Sequence, residues 1–132
     1  MELIQWRDEY SVGVPEMDEQ HKGLIALINR LTEEEHATGM IAYVFDALDQ
    51  YVKEHFRAEE ALMRAAGYED LKQHKKQHRD FEGWLRAVKQ SHAAGASTFM
   101  LAETVNDFLR DWLINHIHKT DMAYKPVLGK QS

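Results

Sequence analysis

Two stripes of apolar residues at helical spacing run through the middle of the sequence, and each carries a pair of titratable side chains on its apolar face. Before Gly67 the stripe is Ile41, Val44, Phe45, Leu48, Val52, His55, Glu59, Leu62; after it, Leu71, His74, His78, Phe81, Leu85, Val88. Residues four apart share one face of an α-helix, so His55/Glu59 and His74/His78 can each grip a common centre. Imidazoles and carboxylates turned into an apolar seam are costly to bury unless something satisfies them, and a metal ion does so. Such a chain has to fold as packed helices closing on a polar centre.

The same spacing predicts four helices, at about 18–36, 40–65, 69–93 and 98–122. Asp18 is the expected N-cap of the first, whose inner face is His21, Leu24, Ile25, Ile28 and Leu31. Ser97 or Thr98 caps the fourth, with Leu101, Val105, Phe108, Trp112 and His116 inward. Gly39, Gly67 and Gly95 break the pattern between helices. Residues 1–17 hold Trp6, Tyr10, Val12 and Val14 without helical spacing and read as an extended arm over the bundle. Pro126 ends the pattern, leaving 123–132 as a tail. The expected architecture is all-α: one domain over 1–132, an up-down-up-down four-helix bundle with an N-terminal arm.

In that topology His21, His55, Glu59, His74, His78 and His116 fall within roughly 10 Å of one another in height, at 1.5 Å of rise per residue. Three histidines fail the same test. His36 and His92 lie near the opposite end, and His118 is on the far face from His116, so all three read as solvated surface.

Composition narrows the chemistry. The 132 residues include eight histidines and no cysteine, which excludes disulfides, iron–sulfur clusters, thiolate-bound zinc and c-type haem attachment. A formal charge of −6 argues against nucleic acid or an anionic membrane as partner. No apolar run approaches the roughly 20 residues of a membrane span, and MELIQWRDEYS does not resemble a signal peptide. The expected location is cytoplasmic.

Asp121, five residues after His116, completes the candidate metal set: His21, His55, Glu59, His74, His78, His116 and Asp121. Five imidazoles and two carboxylates are too many for one ion and suit two, with the carboxylates bridging. With about six ligands per ion and one bridging oxygen, one coordination place stays open, on the ion with only two histidines. The spacing of His116 and Asp121 is the anomaly. Five residues of ideal α-helix turn about 500°, leaving Asp121 some 140° from the seam. A local π-type turn between them is therefore expected.

Here the sequence resembles the hemerythrin family, in particular the bacteriohemerythrins. The resemblance rests on HF-x-x-EE-x-x-M at 55–63, GY at 67–68, H-x-x-x-H at 74–78, WL-x-x-HI-x-x-x-D at 112–121 and QHK-x-L at 20–24, and spans Trp6 to Tyr124. It departs from the family in having Glu69, where proline is frequent. The resemblance implies a non-haem centre of two iron ions, oxo- or hydroxo-bridged, with O2 as reversible ligand. It implies that His74, His78 and His116 hold one iron, His21 and His55 the other, and that Glu59 and Asp121 bridge.

Around the open place the inward neighbours are Leu24, Phe56, Trp112, Leu113 and Ile117, an apolar wall that is at once core and O2 pocket. The expected function is O2 storage, delivery or scavenging rather than catalysis, with the protein that receives the O2 unknown. Two alternatives stand beside it. A di-iron oxidase or peroxidase of the ferritin-like type uses Glu-x-x-His pairs, and the pair here, Glu33/His36, is remote from the site. A sensory module would act on a separate partner.

Overall fold

The computed structural model describes residues 3–33 and 41–128, and among these all regular structure is helical. The first rod is α1 (Pro15–Glu33). The second is α2 (Ile41–Tyr51), a π-turn (Val52–Phe56) and α3 (Arg57–Ala65). The third is α4 (Leu71–Ala93). The fourth is α5 (Thr98–Trp112), continuing as a π-helical run (Leu113–Asp121), a 3-10 turn (Met122–Tyr124) and α6 (Lys125–Leu128). The rods form the expected four-helix bundle, up-down-up-down.

The rod ends follow local chemistry. Gly67, at φ 67°, ends α3: its N–H reaches Arg64 O at 3.1 Å and the Tyr68 N–H reaches Met63 O at 3.0 Å. This is the paired C-terminal motif that favours glycine. Gly95, at φ 92°, ends α4 in the same way, with Ala96 N–H on Ser91 O at 3.0 Å. Ser97 caps α5, its hydroxyl accepting from Met100 N–H at 3.4 Å.

Three expectations need correcting. α1 starts at Pro15, not after Asp18, because proline has no N–H to leave unsatisfied in a first turn. Asp18 instead accepts from Val12 N–H at 2.9 Å and from the Ser11 hydroxyl, which fastens the arm to α1. The chain also stays ordered past Pro126, which lies inside α6; Tyr124 and Leu128 are buried. Finally, Leu62 is only half-buried while Met63 points inward, since the π-turn before α3 shifts its phase. The break at Gly39 and the position of His36 lie outside the described residues.

The arm lies over the bundle but is not extended throughout: Asp8–Tyr10 form a 3-10 turn, and residues 15–17 belong to α1. Ile4 and Asn29 exchange two hydrogen bonds of 2.8 Å, and Ile4 and Trp6 pack on the bundle. Two apolar clusters result. The larger includes Leu24, Phe56, Phe81 and Ile117; the smaller joins Val12, Val14 and Met17 to Met63, Tyr124 and Leu128. Along each rod the titratable residues fall between the two, as His21 does between Met17 and Leu24. The polar layer is therefore sealed above and below by apolar packing.

Candidate metal centre

All seven predicted residues converge in this layer, each no more than 2% exposed. Glu59, His74, His78, His116 and Asp121 bring one ligand atom each within 4.8 Å of one another; so do His21, His55, Glu59 and Asp121. The two groups share both carboxylates and use different oxygens of each. Glu59 Oε1 lies 3.0 Å from the Nε2 atoms of both His74 and His78, and Asp121 Oδ1 lies 2.8 Å from His74 Nε2 and 3.0 Å from His116 Nε2. On the other side, Glu59 Oε2 is 3.4 Å from His55 Nε2, and Asp121 Oδ2 is 3.2 Å from His21 Nε2.

The π-helical run makes this possible. It spans Leu113–Asp121, longer than the local turn expected, and its extra residue per turn returns Asp121 to the face of His116. Both side chains are buried, with Lys119 between them exposed. A second π-turn, Val52–Phe56, was not legible in the sequence. It widens the inward face so that the consecutive residues His55 and Phe56 are both buried.

The donor set fits cations. Both Asp121 oxygens and His116 Nε2 lack a hydrogen-bond partner although they are fully enclosed. They lie close to their neighbours without pointing at them, as lone pairs do when they converge on a third atom. Nε2 of His21 and Nε2 of His55 meet at 3.1 Å, a hydrogen bond only when one of the two carries a proton. Buried groups left in this condition are costly, and two cations between them would satisfy the set.

On three of the five histidines a partner at the outer ring nitrogen fixes which tautomer faces inward, whereas Nδ1 of His21 and Nδ1 of His74 have no hydrogen-bond partner. His55 Nδ1 pairs with Gln20 Oε1, His78 Nδ1 with Glu60 Oε2 at 2.8 Å, and His116 Nδ1 with Gln77 Oε1 at 2.7 Å. Each contact lets Nδ1–H donate outward and keeps the Nε2 lone pair inward. Tyr124 donates its hydroxyl to Glu59 Oε2 at 2.7 Å. The sequence reading assigned no role to Gln20, Glu60 or Gln77. Their signal was position: each is the direct neighbour of a ligand candidate, in QH at 20–21, EE at 59–60 and QH at 77–78.

Electrostatics follow from this crowding. Burial pulls His74 down, yet the carboxylates of Asp121 and Glu59 outweigh it and raise its pKa to about 9. Burial would raise Glu59, but His55, His74 and His78 hold it well below the usual carboxylate range. Burial lowers His116, and Asp121 and Glu59 do not fully offset it.

The apolar wall is in place. Leu24, Phe56, Trp112, Leu113 and Ile117 are all buried. The Phe56 ring stacks on His78 at 3.9 Å between centroids, and Trp112 stacks on His116, also at 3.9 Å. Two of the histidines expected on the surface are half-buried instead. His118 lies under Tyr10 of the arm, rings 4.1 Å apart, and His92 meets the Phe45 ring at 5.6 Å.

A helical bundle whose four rods close on two groups of side chains able to hold cations, joined through shared carboxylates, has the architecture of a dinuclear cation-binding bundle. The family model described as the hemerythrin HHE cation binding domain matches residues 12–128, and the chain belongs to the hemerythrin family. It is 36% identical to the bacteriohemerythrin of Methylococcus capsulatus, over 98% of this chain and 99% of that one. It is 33% identical to the myohemerythrin of Theromyzon tessulatum, over 94% and 92% of the two chains. A crystal structure of wild-type hemerythrin superposes with a TM-score of 0.82 at 34% identity, covering 97% of this chain and 99% of that one. No helix among the described residues is long and apolar enough to cross a membrane.

Proposed function

We propose that this protein binds O2 reversibly at two iron ions held in the polar layer, and serves O2 storage, delivery or scavenging in the cytoplasm. His74, His78 and His116 serve one ion, His21 and His55 the other, and Glu59 and Asp121 both. The observation that carries this is the division of oxygens: each carboxylate offers one oxygen to the three-histidine side and one to the two-histidine side. Bound there, two ferrous ions supply two redox-active centres and one open coordination place.

The remaining work is done by the chain. Gln20, Glu60 and Gln77 orient imidazoles through their outer nitrogens, and Tyr124 fixes the Glu59 carboxylate. The wall of Leu24, Phe56, Trp112, Leu113 and Ile117 keeps water away from the open place. Ferritin-like di-iron enzymes build their sites from four carboxylates and two histidines, whereas five histidines dominate here, which favours binding over oxidation chemistry.

The test is anaerobic reduction of iron-loaded protein followed by air. The expected result is a visible charge-transfer band that forms with O2 and fades on its removal over repeated cycles, with two irons per chain. A colourless response, sustained turnover with peroxide and a reductant, or zinc in place of iron after growth in iron-replete medium would overturn the reading.

A further inference from the structure

One aromatic neighbour of the centre lies outside the wall read from the sequence, and it is less enclosed than the wall. Tyr51 stacks on His55, ring centroids 4.8 Å apart and 10° from parallel, and its hydroxyl accepts from Trp112 Nε1 at 3.3 Å. Its ring thus lies against the two-histidine side, and its oxygen reaches across to the fourth rod. Leu24, Phe56, Leu113 and Ile117 are shut off from solvent, whereas Tyr51 is half-buried.

Its exposed side borders a groove of about 340 Å³ between α1 and α2. Leu24, Tyr51 and His55 line it together with three small residues, Gly23, Ala26 and Ala47. Helices in contact normally fill such a seam with branched side chains. Here a Cβ built on Gly23 would meet nothing within 4 Å, so room is left in a position where α-helix would favour a larger residue. The groove is walled mainly by carbon and ends at a wall residue, Leu24, and a ligand candidate, His55. A smaller groove of about 230 Å³ also borders the centre, but the residue of the centre that lines it is His116. That is the three-histidine side, where the proposed ligand set leaves no place open.

Resting on the O2-binding reading, we propose that the groove between α1 and α2 is the entrance by which small neutral molecules reach the open coordination place. Leu24 and Tyr51 form its inner gate. Of the two, the half-buried Tyr51 is the side chain free to move, since rotamer motion at exposed positions runs on the ps–ns scale, while the buried Leu24 closes the inner end. The small residues hold the outer passage open, and the aromatic ring keeps bulk water from following.

Two measurements test this. In zinc-loaded full-length protein under xenon pressure, methyl resonances of Leu24 and Ala47 should shift, and Gly23→Leu should abolish the shifts. In iron-loaded protein, Gly23→Leu and Ala47→Leu should each slow O2 association and release about tenfold while leaving affinity and iron content unchanged, because a passage governs rates alone. Asn115→Trp, at the other groove, should leave both rates as they are. Absence of xenon shifts, parental rates in both filled variants, or slowing by Asn115→Trp alone would each overturn the entrance. Xenon in the groove of a reduced iron protein that takes up no O2 would instead count against the O2-binding reading.

Discussion

Among the residues of the polar layer, Glu59 carries the most connections: three imidazoles within 3.4 Å and the Tyr124 hydroxyl at 2.7 Å. Removing it unlinks the two sides. Glu59→Ala is expected to lose paired occupancy, whereas His21→Ala keeps iron with an external ligand filling its place. Iron per chain checks this, and two irons in Glu59→Ala would contradict the bridging role. His74 sets a pH dependence. Its pKa in the folded, metal-free chain is raised to about 9, against about 6.5 when unfolded. The stability it contributes to the metal-free protein is fully present below about pH 6.5 and is lost as the pH rises through about 9. At neutral pH the imidazole must also release its proton to a metal. Zinc titration in buffers of different ionisation enthalpy should therefore show proton release of about one per chain at pH 7, falling towards pH 10. Release that did not change with pH would remove His74 from this role.

At the scale of elements, both π segments occur where the inward face must be wider than an α-helix allows. π turns give up good hydrogen-bond geometry, and they persist where packing and ligand placement hold them. Asp121 could be read as out of phase from its number alone, so the segment in the fourth rod was foreseeable. The one at Val52–Phe56 was not, because His55 and Glu59 already sit at a spacing that α-helix satisfies. The helix ends are simpler. Gly67→Ala places a side chain at φ 67°, where its Cβ would meet nothing within 4 Å, so backbone strain alone acts. The expected loss is about 1–2 kcal/mol in denaturant unfolding, with metal content unchanged. A neutral result would mean that the turn relaxes to negative φ.

For the whole molecule, the arrangement sets two apolar clusters around a layer of enclosed imidazoles and carboxylates. Without cations that layer is a buried polar defect, and with them it ties the four rods together. Chelation is expected to lower the unfolding midpoint by roughly 10–20 °C while far-UV circular dichroism at 20 °C stays helical. The apolar clusters are large enough to keep the bundle folded. Collapse of the helical signal on chelation would show instead that the centre, and not the core, holds the fold.

The sequence by itself determined the number of helices, most of their inward faces, the seven converging side chains and the need for a widened turn before Asp121. All but Asp121 follow from periodicity, a local property of the chain, and the widened turn follows from the departure of Asp121 from it. Only the tertiary structure decided which oxygen of each carboxylate faces which histidines, and which neighbours hold the outer ring nitrogens. It alone placed Tyr10 over His118, packed Tyr124 and Leu128 against the arm, and left the seam between α1 and α2 open beside Tyr51. These depend on the approach of segments far apart in sequence, and spacing along one helix carries no information about the distance to another.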